Sequence, residues 1–255
     1  MRYLLIFFTL LLANKTPAQN QFNVFLFTKT AGWHHESINE GVTALRSMAK
    51  RHKFDLQWHE DASRFNDDFL QQFDVIVFLN TSEDILNEEQ QAAFQKFIQS
   101  GKGFVGVHSA SNTEYEWPWY NQLVGKMFHI HPLEQTAMVD VIDTNFPGME
   151  IFPKRFLWTD EWYEFLPEEY SSHLNILLSV DEDSYNPEVQ WEEKKGKRMG
   201  DHPIAWYQYF DNGRSFYTGL GHIAEIYQNP WFLHHLYGGI YWAATGKGIK
   251  DDSRN

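Results

Sequence analysis

The chain has 255 residues and not one cysteine. That excludes disulfides, thiol nucleophiles and thiolate metal ligands together, and it rules out a lipid-modified cysteine after a leader. A fold of this length must therefore rest on core burial. Basic residues are also scarce: 21 Lys and Arg stand against 34 Asp and Glu, a formal net charge of -13. Such a surface repels phosphate backbones, so nucleic acid is not an expected partner. Long apolar runs are missing beyond the N-terminus. No Gly/Pro/Ser-rich linker and no internal repeat divide the chain, which reads as one domain over 22–247 with a polar tail at 248–255. There is no HExxH and no cysteine-based zinc spacing.

The first 18 residues have the grammar of a cleaved leader: Arg2, the short apolar run Tyr3–Leu12, then small residues around Thr16 and Ala18. The run is too short for a stable bilayer span, so an exported protein without a membrane anchor is expected, in the periplasm or outside the cell. Aromatic residues are abundant at 17%, including 10 Trp. They suit a core of large side chains, and they also suit stacking on the C–H faces of a small carbohydrate.

Strand and helix patterns alternate through the first half. Phe22–Thr28, Phe54–Trp58, Asp74–Leu79 and Gly103–Val107 read as strands, the last two almost wholly apolar. Ser37 with Glu40 and Asn87 with Gln90 have capping-box spacing, each opening a helical stretch. The second half is richer in strands: Glu134–Asp143, His173–Val180, Ile204–Phe210 and Arg214–Gly219. Asp211-Asn212-Gly213 is a hairpin turn, and Pro230 opens a terminal helix to Ala244. The polar stretch Asp183–Gly200 reads as an exposed, mobile loop. These patterns predict an α/β fold with a doubly wound, mainly parallel sheet and antiparallel additions.

Histidines gather where strands end. Gly103-Phe104-Val105-Gly106-Val107-His108-Ser109-Ala110 is a buried strand running into a tight elbow, the place where α/β enzymes present a reactive side chain. His108 occupies it. An imidazole there can act as a base, donate to an oxyanion or bind a metal. His34 follows the first strand and His222 follows the last, after Gly219-Leu220-Gly221. Neighbouring His35 reads as a surface loop residue. His129 and His131 have i, i+2 spacing, which in an extended segment puts both imidazoles on one side. Asp160 and Glu161 sit among aromatics, where an ionised carboxylate needs a partner. Asp201-His202-Pro203 opens another strand.

Taken together, these motifs resemble the ThuA-like family, named for trehalose utilisation. The matching stretches are Phe27–Ile38, Asp74–Thr81, Gly103–Ala110, Thr159–Tyr163, Asp201–Trp206 and Thr218–His222. The resemblance implies a flavodoxin-related fold of the class I glutamine-amidotransferase type. The cysteine that such amidotransferases carry at the elbow is His108 here, and their late His-x-Glu pair is replaced by the differently spaced His222 and Glu225, which excludes glutamine hydrolysis through a thioester. The family's association with sugar breakdown implies a hydrolase or lyase acting on glycosides or keto-sugars. In that reading His108 or Asp160 is the base. His34, His131, His222 and Glu161 bind a divalent metal or donate to an oxyanion, with His108 also a candidate ligand. Trp33, Trp117, Trp119 and Trp162 wall the sugar site, and Asn80, Tyr163, His202 and Glu225 contact substrate. The rival expectation is a noncatalytic carbohydrate-binding or scaffold protein.

Overall fold

A computed structural model describes residues 20–168, 170–171 and 173–250. The leader at 1–18 and the last residues of the tail lie outside that range. The chain builds β1 (Asn23–Phe27), α1 (Ile38–His52), β2 (Asp55–His59), α2 (Asp67–Leu70), β3 (Val75–Leu79), α3 (Glu88–Gln99) and β4 (Gly103–Val107). Then come α4 (Pro118–Val124), β5 (Phe128–Ile130), β6 (Gln135–Val141), β7 (Arg155–Asp160), β8 (Glu164–Phe165) and β9 (Asn175–Asp181). Last are β10 (Val189–Trp191), β11 (Lys194–Gly196), β12 (Pro203–Phe210), β13 (Gly213–Thr218) and α5 (Pro230–Thr245).

Nine strands form one sheet in the order β2-β1-β3-β4-β13-β12-β9-β6-β7. The first five are parallel and the last four alternate, so the mainly parallel half and its antiparallel addition are both present. The reason is composition. β3 is Val-Ile-Val-Phe-Leu with every residue at 0% exposure, as a strand covered on both faces must be. Burying each such side chain is worth roughly 1.5–3 kcal/mol relative to exposure, so these central strands are where the core's stability concentrates. The hairpin between β12 and β13 turns on Asp211 and Asn212, both at positive φ (47° and 70°), the conformation of a two-residue turn that Asn and Asp tolerate.

Three expectations need correction. Asn87 and Gln90 make the reciprocal capping box, but Ser37 does not cap α1. Its hydroxyl donates instead to Gly221 O at 3.2 Å and receives Asn80 Nδ2 at 2.9 Å, tying the helix start to two loops. The strand Arg155–Asp160 is additional. And Asp183–Gly200 is not simply an open loop, because it contains the β10–β11 hairpin.

The parallel half explains where chemistry can gather. β1, β3, β4 and β13 end at one edge of the sheet, and β7, reached through the three alternating strands β12, β9 and β6, points the same way. The loops after these strands therefore share one rim.

Candidate active site

At the end of β4 the backbone turns through His108 at φ +50° into a short 3₁₀ turn, His108–Asn112. A non-glycine residue there costs on the order of 1–3 kcal/mol and must be held by its surroundings. The hold is visible. Tyr217 donates its hydroxyl to His108 O at 2.8 Å, and His108 Nδ1 donates to Gly219 O at 2.9 Å. With Nδ1 committed as donor, Nε2 points into the rim.

Three more side chains meet it. Glu161 follows β7. His35 comes from the loop between β1 and α1. His222 follows β13 through Gly221, whose φ of +133° suits glycine and where a Cβ would come within 2.9 Å of Val107 Cγ1. His35, His108, Glu161 and His222 each offer one donor atom, and these atoms all lie within 4.8 Å of one another. His222 Nδ1 is 3.1 Å from Glu161 Oε2 and 3.3 Å from His108 Nε2, and His108 Nε2 is 3.4 Å from the same Oε2. Metal–ligand bonds of about 2.0–2.1 Å at tetrahedral angles set neighbouring donors about 3.3–3.4 Å apart. Glu161 Oε2 is buried and has no hydrogen-bond partner of good geometry, although two ring nitrogens face it. The arrangement could hold a divalent cation.

The outer contacts fit the same use. Each imidazole rests its other nitrogen on an oxygen: His108 Nδ1 on Gly219 O, His222 Nε2 on Glu134 Oε1 at 3.1 Å, and His35 Nδ1 beside Ser109 Oγ at 3.3 Å. Such partners fix which nitrogen is free to ligate. Burial, with His108 and His222 nearby, pushes the His35 imidazole down to about 2, so it is neutral. Burial also lowers His131. Burial would raise the Glu161 carboxyl, but the imidazoles of His108, His222 and His131 hold it well below the usual carboxylate range. Burial disfavours charged His222 as well, and the Glu161 carboxylate outweighs it and raises that imidazole. Tyr163 places its hydroxyl 2.8 Å from His108 Nε2, and burial keeps its phenol protonated. His131 Nδ1 sits 2.8 Å from Pro132 O and 3.3 Å from Glu161 Oε1. Its Nε2 has no hydrogen-bond partner among the described residues.

Of the residues singled out in the sequence, the rim brings together His108, Glu161, His222, His131 and Tyr163. It takes His35 in place of His34: His35 is 4% exposed, whereas His34 is exposed and turned toward Thr30. Asp160 is wholly buried and occupied, accepting the backbone N–H groups of Glu161, Gly221 and His222 at 3.0, 3.0 and 3.1 Å. Burial raises its carboxyl, and its place is that of a clamp on the Gly221-His222 turn rather than of a base. His202 is buried behind the rim, its Nε2 on Tyr163 O at 2.9 Å. Asn80 is buried and braces Ser37 and Gly221. Trp162 is fully buried and donates to Gln135 O.

Trp117 and Trp119 stack on each other near Phe94, and Trp119 donates to Asp211, at the opposite edge of the sheet. Glu225 is exposed on the turn Ala224–Gln228, without a side-chain hydrogen bond or ion pair among the described residues. Trp33 is 71% exposed on the loop that carries His35. His129 shares the segment of His131 but makes no comparable contact. A groove of about 760 Å³ between α1 and α5 holds none of the four converging donors.

The sequence reading missed His35, Glu134 and Trp191. Nothing in the sequence marks His35 over His34. Trp191 stood in the polar stretch, yet its ring lies edge-on to His131 with centroids 4.5 Å apart.

The family model described as ThuA, trehalose utilisation, matches residues 23–243. Among solved structures, a ThuA-like protein from Bacteroides uniformis superposes with a TM-score of 0.74 at 22% identity, covering 95% of this chain and 98% of the other. One from Parabacteroides merdae gives 0.71 at 20% identity, covering 90% and 92%. At these identities the likeness shows the fold. Comparison with curated proteins gives no significant match. No described helix is long and apolar enough to cross a membrane.

Proposed function

The chain belongs to the ThuA family, and from that footing we propose that it is a divalent-metal enzyme that cleaves oxidised glycosides by elimination and hydration. One observation carries the reading: four donor atoms from four separate loops converge within 4.8 Å, with Glu161 Oε2 left unbonded among them. His35, His108, Glu161 and His222 would hold the ion. When bound, it supplies Lewis-acid polarisation of a sugar carbonyl oxygen.

The protein's own groups do the rest. In a 3-keto-glycoside the ketone acidifies the proton on C2. His131 Nε2 takes that proton, as a neutral, mostly buried imidazole with Nδ1 already engaged can. The electron pair forms the enolate and then the C1–C2 double bond as the C1–O bond breaks. Tyr163 protonates the departing oxygen. Water then adds at C1 and a proton returns to C2, so the net change is hydrolysis and no oxidant is consumed. In this reading residues 1–18 export the chain, which a mature N-terminus at Gln19 in the secreted product would support.

The test is release of nitrophenol from a 3-keto-nitrophenyl glycoside by the metal-loaded full chain. Turnover should fall at least ~10²-fold in His131→Ala, the low end for removal of an acid–base group, and His108→Gln should lower both turnover and bound metal, because it removes a ligand. Full metal loading with no turnover on any keto-glycoside would favour the noncatalytic carbohydrate-binding reading.

A further inference from the structure

The hairpin β10–β11 carries an indole that core packing does not explain. Trp191 is 38% exposed at the hairpin's end, amid Gln190, Glu192, Glu193 and Lys194, all exposed. Its ring contacts among the described residues are His131, edge-on at 4.5 Å, and more distantly Phe128 at 6.2 Å. His131 in turn lies 3.3 Å from Glu161, so the indole borders the four-residue cluster at one remove.

The base of the hairpin is fixed. Lys197 N donates to Glu164 Oε2 at 2.6 Å, and Gly196 is so close to Val189, Ile130 and Glu164 that a Cβ there would meet Val189 Cγ1 at 2.6 Å. A large apolar ring held on an anchored arm, edge against an imidazole and partly open to solvent, is preorganised to receive a flat, weakly polar surface. The C–H face of a pyranose is such a surface, and its hydroxyls can meet the polar neighbours, including Lys194, paired across the hairpin from Trp191.

We infer that Trp191 is the stacking platform that seats the sugar ring beside the cluster, a specificity-determining residue of the same site. This rests on the carbohydrate reading above, and it replaces Trp117, Trp119 and Trp162, which face elsewhere, as the aromatic wall.

The experiment uses trehalose as probe, titrated calorimetrically into the metal-loaded full chain, with Trp191→Ala, Trp191→Leu and Trp191→Phe beside the wild type. Bound metal and thermal midpoint are recorded for each. Removing the aromatic face should weaken trehalose binding ~10-fold in both the Ala and Leu variants. Phe should stay within ~3-fold. Metal content should not move. Ala and Leu variants that bind trehalose like wild type would overturn the platform while leaving the metal site standing. Variants that lose metal or fold would also overturn it, since Trp191 would then be a support for His131. Absence of trehalose binding by the metal-loaded wild type would overturn the platform, while the sugar reading itself stands or falls on turnover of the keto-glycoside.

Discussion

Two buried histidine–carboxylate assemblies lie within one fold, and they differ in a single respect. Behind the rim, His202 faces Glu182 Oε1 at 3.1 Å and Tyr163 O at 2.9 Å, while Glu182 also accepts the N–H groups of Met199 and Gly200 at 2.8 and 2.9 Å. Every polar atom there has a partner. At the rim, Glu161 Oε2 has none of good geometry, and His222 Nδ1 and His108 Nε2 turn toward each other at 3.3 Å. A saturated buried network fixes a structure, because each member's loss strands another. An unsaturated one costs about 1–3 kcal/mol per stranded group. The rim keeps that cost, together with the strained His108, where a cation would relieve it. On the proposed function the first assembly is scaffold and the second is the candidate site.

The comparison is broken most forcefully by removing a member of each. His35→Ala or His222→Ala should lower affinity for a divalent ion at least ~10²-fold, more than loss of an outer-shell partner, yet leave the fold intact. That is measured by competition with a chromogenic chelator alongside thermal unfolding. Glu182→Gln should do the reverse: metal retained, and stability down by about 1.5–3 kcal/mol at neutral pH, the range for hydrogen bonds to a charged group.

The pH dependence sharpens the second case. Burial alone would raise the Glu182 carboxyl, but hydrogen bonds from His202, Met199 and Gly200 hold it down at about 2, against an ordinary value of 4.5. A depressed carboxyl contributes stability that is complete above 4.5 and is lost as pH falls from there toward 2. The gap between wild type and Glu182→Gln in urea unfolding should accordingly shrink across that window. A gap that widened on acidification would show that the scaffold reading is wrong.

Smaller effects follow at the margins. Glu134, half-exposed against His222 Nε2, should cost ~10-fold in metal affinity when changed to Gln. His235, in α5, is the control for a buried imidazole with no site around it. Burial lowers it to about 3, its Nδ1 meets only Met149 Sδ, and its Nε2 has no partner. His235→Leu should change stability by no more than ~1 kcal/mol, in either direction, and leave metal binding untouched.

The sequence carried the scaffold more clearly than the site. The apolar β3 and β4, the Asp211-Asn212-Gly213 turn and the His108 elbow were legible because each follows from local chemistry. The strand Arg155–Asp160 was not: Leu157, 65% exposed on the solvent face, hides the alternation that its neighbours keep. His34 and His35 are adjacent in sequence, and only the path of the chain from β1 into α1 decides which ring turns inward. Asp160 and Glu161 look alike as paired acids, but backbone N–H groups occupy the first and imidazoles surround the second. Trp191 lay among charges, and its place beside His131 depends on how the β10–β11 hairpin docks on β5, a contact between distant segments.

The central claim is that the rim holds one divalent ion through His35, His108, Glu161 and His222. X-ray absorption on the zinc-loaded full chain, with metal content measured after dialysis, tests it most directly. The account predicts one ion per chain in a nitrogen- and oxygen-rich shell at about 2.0–2.1 Å, with imidazole scattering that weakens in His35→Ala as one of the three rings is removed. A chain that releases the ion on dialysis, or retains it unchanged in that variant, would contradict it.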